Sequence, residues 1–202
     1  MKRIALVGFD LEVLELLESK KNIEIIGYID FEKSEITEIQ YLGTDNDFML
    51  NHSDANIVLS MDVPNVRSKL YRIYENQIID FISHCTANIS ERSIIGKGTL
   101  IQANTLISSF VKIGKGCVVN HNASIHHESS IGDFTIVAPR ATILGRVTIG
   151  KNCYIGAGSI IKQNINIGSN VTIGAGAVVV NDIPDNITVV GNPAKRILKG
   201  NK

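Results

Sequence analysis

The chain has 202 residues, with 20 basic and 20 acidic side chains and no net charge, so it lacks the electrostatic footprint of a nucleic-acid or anionic-membrane partner. Three cysteines at unrelated spacings do not make a disulfide framework, and no segment reaches the roughly 18 apolar residues of a membrane helix. The opening MKRIALVGFDLEV meets a charge soon after its apolar patch. It does not read as a secretory leader, and a soluble cytoplasmic protein is expected.

KRIALVGF predicts a strand ending at a glycine, and LEVLELLESKK a helix with Leu11, Leu14 and Leu17 at i, i+3 spacing. IEIIGYID predicts a second strand ending in Asp30. NIVLSM, NVRSKLYRIYEN and QIIDFIS predict a further strand, helix and strand. Together these give a small β/α domain over residues 1–82 with a parallel sheet, a Rossmann-like βαβ in outline. The glycine fingerprint of a dinucleotide site is incomplete, since GFDLEV supplies only Gly8. Asp10 and Glu12 at the helix start would repel a diphosphate. Two readings stay open: nucleotide binding through Gly8 and Asp30, or a βαβ that only orients the second half of the chain.

Eight of the eleven Phe and Tyr residues precede position 82, a composition shift that predicts a second domain with different packing. From Ile89 to Val179 the chain divides into hexapeptides without insertion, and all sixteen first positions are Ile or Val. Fifth positions, among them Ser93, Thr105, Cys117, Ser129 and Ala141, are small or β-branched. Ile-Gly recurs every 18 residues, at 95–96, 113–114, 131–132, 149–150 and 167–168. Three hexapeptides per coil predict a triangular prism of short strands stacked at roughly 4.8 Å, a parallel β-helix over residues 83–184. Residues 185–202 are expected to form a C-terminal tail or cap. Cys117 and Cys153, two coils apart, lie beyond disulfide reach and fill the core.

IHHESSIGD, residues 125–133, interrupts this repeat with charge. Ile125 points inward and His127, in the third position, turns outward. The third position one coil later is Gly145, so a ligand could reach backbone N–H groups there. A base beside such donors suits acyl transfer, and Glu128 could orient the imidazole. The alternative is a set of plain surface histidines at a solenoid corner.

With these residues in place, the chain resembles a known group. A small N-terminal β/α domain, an uninterrupted hexapeptide prism, His127-Glu128 before Ile-Gly-Asp-Phe, and the closing VGNPAK are similar to the sialic-acid O-acetyltransferases and UDP-4-amino-sugar N-acetyltransferases of bacterial surface-glycan pathways. The resemblance implies a left-handed β-helix, homotrimeric assembly and an active site between two subunits. It implies acetyl-CoA as co-substrate, no metal, and a nucleotide-linked amino sugar as acceptor. His127 would be the general base and Glu128 its partner. Gly145 would hold the thioester oxygen. The coenzyme would touch Ile155, Gly156, Ala157, Gly158, Gly174, Ala175, Pro193 and Lys195, with Arg196 and Lys199 adding positive charge. Gly8, Phe9, Asp10, Asp30, Phe31, Ser60 and His126 would meet the acceptor. The chain departs from the group at Ile136, where many members have a second histidine, and in lacking a Gly-rich loop after the first strand.

Other chemistries remain possible from sequence. Transfer to a sugar or sialic-acid hydroxyl needs the same base. His121 and His126, at a His-x4-His spacing, resemble part of the zinc site of gamma-class carbonic anhydrases, with Cys85 or His84 as the third ligand. A non-catalytic scaffold would use the histidines and tail for assembly alone. An amphipathic C-terminal helix closing the prism is the plainest account of the tail.

Overall fold

In the computed structural model, which describes residues 1–35, 39–52 and 54–197, strand β1 (Lys2–Val7) is central in a three-stranded parallel sheet. Strands β2 (Ile23–Ile29) and β3 (Asn56–Leu59) flank it. The last four residues of this apolar strand are buried. Helix α1 (Leu11–Glu18) is started by Asp10, whose carboxylate accepts the Val13 N–H at 3.0 Å. Its buried face is Val13, Leu14, Leu16 and Leu17. Leu11, expected on that face, stands in the first turn and is exposed.

A short helix α2 (Asp45–Asn51) was not legible in the sequence; Thr44 and Asp47 close it with a capping box. Helix α3 (Pro64–Ile73) begins with proline in its first turn. The expected strand over QIIDFIS divides in two. Ile78 makes a single bridge to Ile57 of β3, whereas β4 (Ile82–Ser83) pairs with Leu100–Ile101 as the first rung of the second domain.

That domain is a left-handed parallel β-helix. Strands β5 (Asn88–Ile89) to β20 (Val178–Val179) have two residues each, and each first-position Ile or Val is the second residue of its strand. Partners lie 18 residues apart, as in Val118↔Ile136 and Ser124↔Thr142. From Ile101 to Val179 these inward residues are buried and form one continuous core with Cys117 and Cys153, which are free thiols. Each buried Ile or Val contributes about 1.5–3 kcal/mol, but only when the coils above and below are in place.

Three edges join the three faces. Fourth positions turn these edges in the left-handed region near φ +60°, usually the preserve of Gly and Asn. Phe110, Glu128, Phe134, Arg140 and Arg146 adopt it as well.

The N-terminal domain covers one face. Outward-pointing Leu100, Val118 and Ile136 on that face pack with Ile4, Val13, Leu14 and Leu17 in one buried cluster, with Tyr154 beside them. Ile136 is fully buried there, so the position that departs from the resembling group is a domain contact rather than a ligand contact. Both edges of the face are tied down. On one, Gln102 donates to the Glu12 carbonyl and His121 approaches Glu12 at 3.7 Å. On the other, Phe134 meets Tyr71 edge-on at 5.3 Å.

Arg67 of α3, fully buried, links the domains. Its Nε donates to the Gly116 carbonyl at 2.6 Å, Nη1 to Leu59 and Met61 at 2.7 and 3.0 Å, and Nη2 to Gly98 at 3.2 Å. Burial lowers its pKa to about 10, still protonated at neutral pH.

The prism is not closed by a helix among the described residues. Strand β21 (Thr188–Val190) extends the covered sheet, and β22 (Lys195–Ile197) returns antiparallel to it after the cis Asn192–Pro193 bond. Lys199 lies outside the described residues. No helix among the described residues is long and apolar enough to cross a membrane.

Candidate active site

His126, His127 and Glu128 form one prism edge, between Ile125 and Ser130–Ile131. This edge joins the two faces that the N-terminal domain leaves uncovered, so it lies opposite the covered face. The coils there are locked together: the Glu128 N–H donates to Ser109 O at 3.1 Å and the Arg146 N–H to His127 O at 3.0 Å.

The His127 Nδ1 and Glu128 Oε2 are 3.0 Å apart, and the Arg146 Nε donates to the same oxygen at 3.1 Å. The bond from His127, then the charge of Arg146, hold the Glu128 carboxyl below its ordinary range. An ionised carboxylate only accepts, so the shared proton sits on Nδ1. In the neutral imidazole, Nε2 is then the nitrogen that carries the lone pair. Both side chains are about half exposed, 49% and 50%.

Gly145 lies directly under the imidazole. A Cβ there would stand 2.6 Å from both Cε1 and Nε2 of His127, and the residue is buried. The ring fills the space that the missing side chain leaves, so Gly145 is its floor.

The proposed coenzyme residues lie on a different edge, between the covered face and one free face. Ile155 is a fully buried core residue and cannot present its side chain. Gly156 and Gly174 are explained by close stacking, since a Cβ would meet Ala175 N at 2.6 Å and Val190 Cγ1 at 2.6 Å respectively. By contrast, Gly158 and Gly176 (φ +64° and +66°) have nothing within 4 Å of a Cβ position. With exposed Ala157 and Ala175 they leave a bare strip, which fits an extended, slender ligand. Pro193, Lys195 and Arg196 are exposed at its far end. Gly176 was missed in sequence, although the GAG repeat at 156–158 and 174–176 marks it.

In the N-terminal domain a cavity of about 390 Å³ opens at the ends of β1 and β2. Gly8, Asp30 and Phe31 line it, as expected, together with Thr44, Asp45, Met61 and others. Asp30 Oδ1 accepts its neighbour's N–H from Phe31 at 2.7 Å, which leaves Oδ2 available. Three expected residues of this domain are not part of the lining, and His126 stands on the prism edge beside His127. Phe9 packs on Tyr28 at 5.2 Å in the domain-domain cluster, Asp10 caps α1, and Ser60 is buried.

The zinc reading finds no support in side-chain placement. His121 and His126 belong to different edges, His121 faces Glu12, and Cys85 lies 3.8 Å from His84 only. Among the described residues, no group of three His, Cys, Asp or Glu could hold a metal within one chain.

The bacterial transferase hexapeptide model (six repeats) matches residues 128–163 and 146–181. The acetyltransferase domain of PglB from Neisseria gonorrhoeae FA1090 is 26% identical, with 98% of this chain and 100% of that one covered at a TM-score of 0.87. The chain thus carries the transferase hexapeptide repeat over residues 128–181, and its fold is similar over almost its whole length to that of solved acetyltransferases. That PglB domain has also been solved with acetyl coenzyme A. WeeI from Acinetobacter baumannii AYE is 28% identical over 98% of this chain and 100% of that one, with a TM-score of 0.85. PerB from Caulobacter crescentus, solved with CoA and GDP-perosamine, shares the fold at 22% identity, 98% coverage of each chain and a TM-score of 0.88. No curated protein is significantly similar in sequence.

Proposed function

We propose that this acetyltransferase moves the acetyl group of acetyl-CoA to the amino group of a nucleotide-linked amino sugar, with His127 as general base. The observation that carries the reading is the His127–Glu128 pair, in which the carboxylate engages Nδ1 and turns Nε2 outward. The amine nitrogen attacks the thioester carbonyl carbon and passes a proton to Nε2. The tetrahedral intermediate collapses, the C–S bond breaks, and the thiolate leaves with a proton returned by the imidazolium. The acetyl-CoA complex of the PglB domain supports the donor.

The site is completed by a second subunit of a homotrimer. Within one chain, His127 and the cavity at Asp30 stand on opposite sides of the prism, because the N-terminal domain covers the face across from the His127 edge. The bare strip at Gly158 and Gly176 lies on another edge again. A closed ring of identical prisms brings a base from one chain, and a cavity from the next, to one substrate. The cavity, with Asp30 at its mouth, takes the nucleoside.

Free-thiol release from acetyl-CoA, measured across nucleotide-linked 3-amino and 4-amino sugars and their hydroxyl analogues, tests this. Release with an amino sugar, lost in His127→Ala while coenzyme affinity persists, is expected. Release only with a hydroxyl analogue would replace N-transfer by O-transfer, and a fully active His127→Ala would end the base assignment.

A further inference from the structure

One coil below Glu128, on the same edge, the corner position carries an exposed aromatic ring. Phe110 has φ +61° and is 59% exposed. Its counterpart Phe134, also left-handed, is explained by its contact with Tyr71 across the domain boundary. No such contact holds Phe110. Its neighbour is Arg92, one coil lower still, with the guanidinium 6.0 Å from the ring centroid. Ser109, beside it, is the residue whose carbonyl receives the Glu128 N–H, and its hydroxyl lies 3.2 Å from that of Ser90. The corner accounts for the left-handed backbone of Phe110, as at the other fourth positions, but not for a large apolar ring held out to solvent.

A second observation concerns charge. Among the described residues, the cavity lining holds the carboxylates Asp30 and Asp45 and no cation. A nucleoside can enter such a site, but a diphosphate attached to it must find positive charge elsewhere. On the His127 edge Arg146 is already engaged with Glu128, whereas Arg92 makes no ion pair among the described residues.

Height along the prism joins the two. Arg67, between the cavity-lining Val66 and Leu70, is bonded to Gly98 and Gly116. These are fourth-position residues six places after Arg92 and Phe110, so the cavity wall stands beside the coils that carry that pair. In a ring of parallel prisms, a neighbour's cavity stands at the same level.

Resting on the acetyltransferase reading above, we propose that Arg92 and Phe110 form the sugar-diphosphate subsite of the acceptor. Arg92 pairs with the diphosphate, and the C–H face of the pyranose lies on the Phe110 ring, whose π face is electron-rich. The acceptor thus reaches His127 from the N-terminal side of the prism and the thioester from the Gly145 side.

Two variants test this, with the best acceptor of the wild-type panel and the free diphosphate of the same nucleoside as probes. Phe110→Ala should raise the acceptor KM more than tenfold, leave the KM for acetyl-CoA unchanged, and leave nucleoside-diphosphate affinity within twofold; Phe110→Trp should restore most of the loss. Arg92→Gln should weaken the nucleoside diphosphate itself by tenfold or more. Unchanged acceptor KM in both, or a loss that tracks a change in oligomeric state by sedimentation, would overturn the subsite and make Phe110 a contact between prisms. Failure of the acetyltransferase reading would look different, since the wild type would then release no thiol with any acceptor.

Discussion

The imidazole of His127 rests on Gly145, so close that a single methyl group at 145 would overlap its Nε2 edge. The distance between floor and ring therefore fixes where the base points. Gly145→Ala should leave the fold intact, since its backbone is not in the left-handed region and the half-exposed ring can swing away. A thermal midpoint within a few degrees of wild type and a fall in kcat of at least about tenfold are expected. A variant with undiminished kcat would show that ring placement does not matter.

Glu128 should set a limit on the acid side of the pH–rate profile. Its carboxyl is held below the ordinary range by the His127 bond and the Arg146 charge. The pair is thus fully formed above the usual carboxylate range and is lost only as pH falls through the lowered value. Arg146→Gln removes one of the two groups that lower it, so the loss of rate on acidification should begin at higher pH. Glu128→Gln should lower the rate at neutral pH, since the carboxylate that orients the ring is gone. An acid loss that begins at lower pH in Arg146→Gln would contradict the charge arrangement.

Arg67 should be the costliest single side chain to remove in the domain junction. Arg67→Met strips the donors from four carbonyls. Each unpaired buried group costs about 1–3 kcal/mol, so denaturant unfolding should show a loss of about 3 kcal/mol or more. A change below about 1 kcal/mol, on the scale of an exposed pair, would mean that water replaces the guanidinium.

Subunit mixing should reveal the composite site. His127→Ala and Asp30→Ala chains, each nearly silent alone at low acceptor concentration, should regain activity when unfolded and refolded together. The gain comes from contacts where an intact base meets an intact cavity. No recovery in mixed oligomers of confirmed composition would place the whole site within one chain.

The prism was almost fully legible because its signal is redundant. Sixteen inward Ile or Val residues at a period of six leave no alternative register, and each became the inner residue of a two-residue strand. His127 and Glu128 stood out because charge interrupts that pattern. The N-terminal domain was read less well. Helix α2 is short and its stability comes from Phe48 in the core and the Thr44–Asp47 cap rather than from a long periodic face. Ile82 was assigned to the wrong sheet because a single apolar run serves both domains. Glycines posed a separate difficulty: Gly145, Gly156 and Gly174 look alike in sequence, yet one admits a ring and two admit the next coil. A helix was the plainest account of the tail, but its described residues form a hairpin of β21 and β22 with Gly191 and Pro193 at the turn.

From Ile89 to Val179 every connection between strands is a four-residue corner, and none is longer. The prism therefore has no lid. Nothing in it can fold down over a bound thioester to keep water away, and the corners cannot open to let product out. In the proposed ring of prisms, shielding comes from the adjoining protomer and from the two substrates as they fill the cleft. Any segment that closes over a substrate has to belong to the N-terminal domain or the tail.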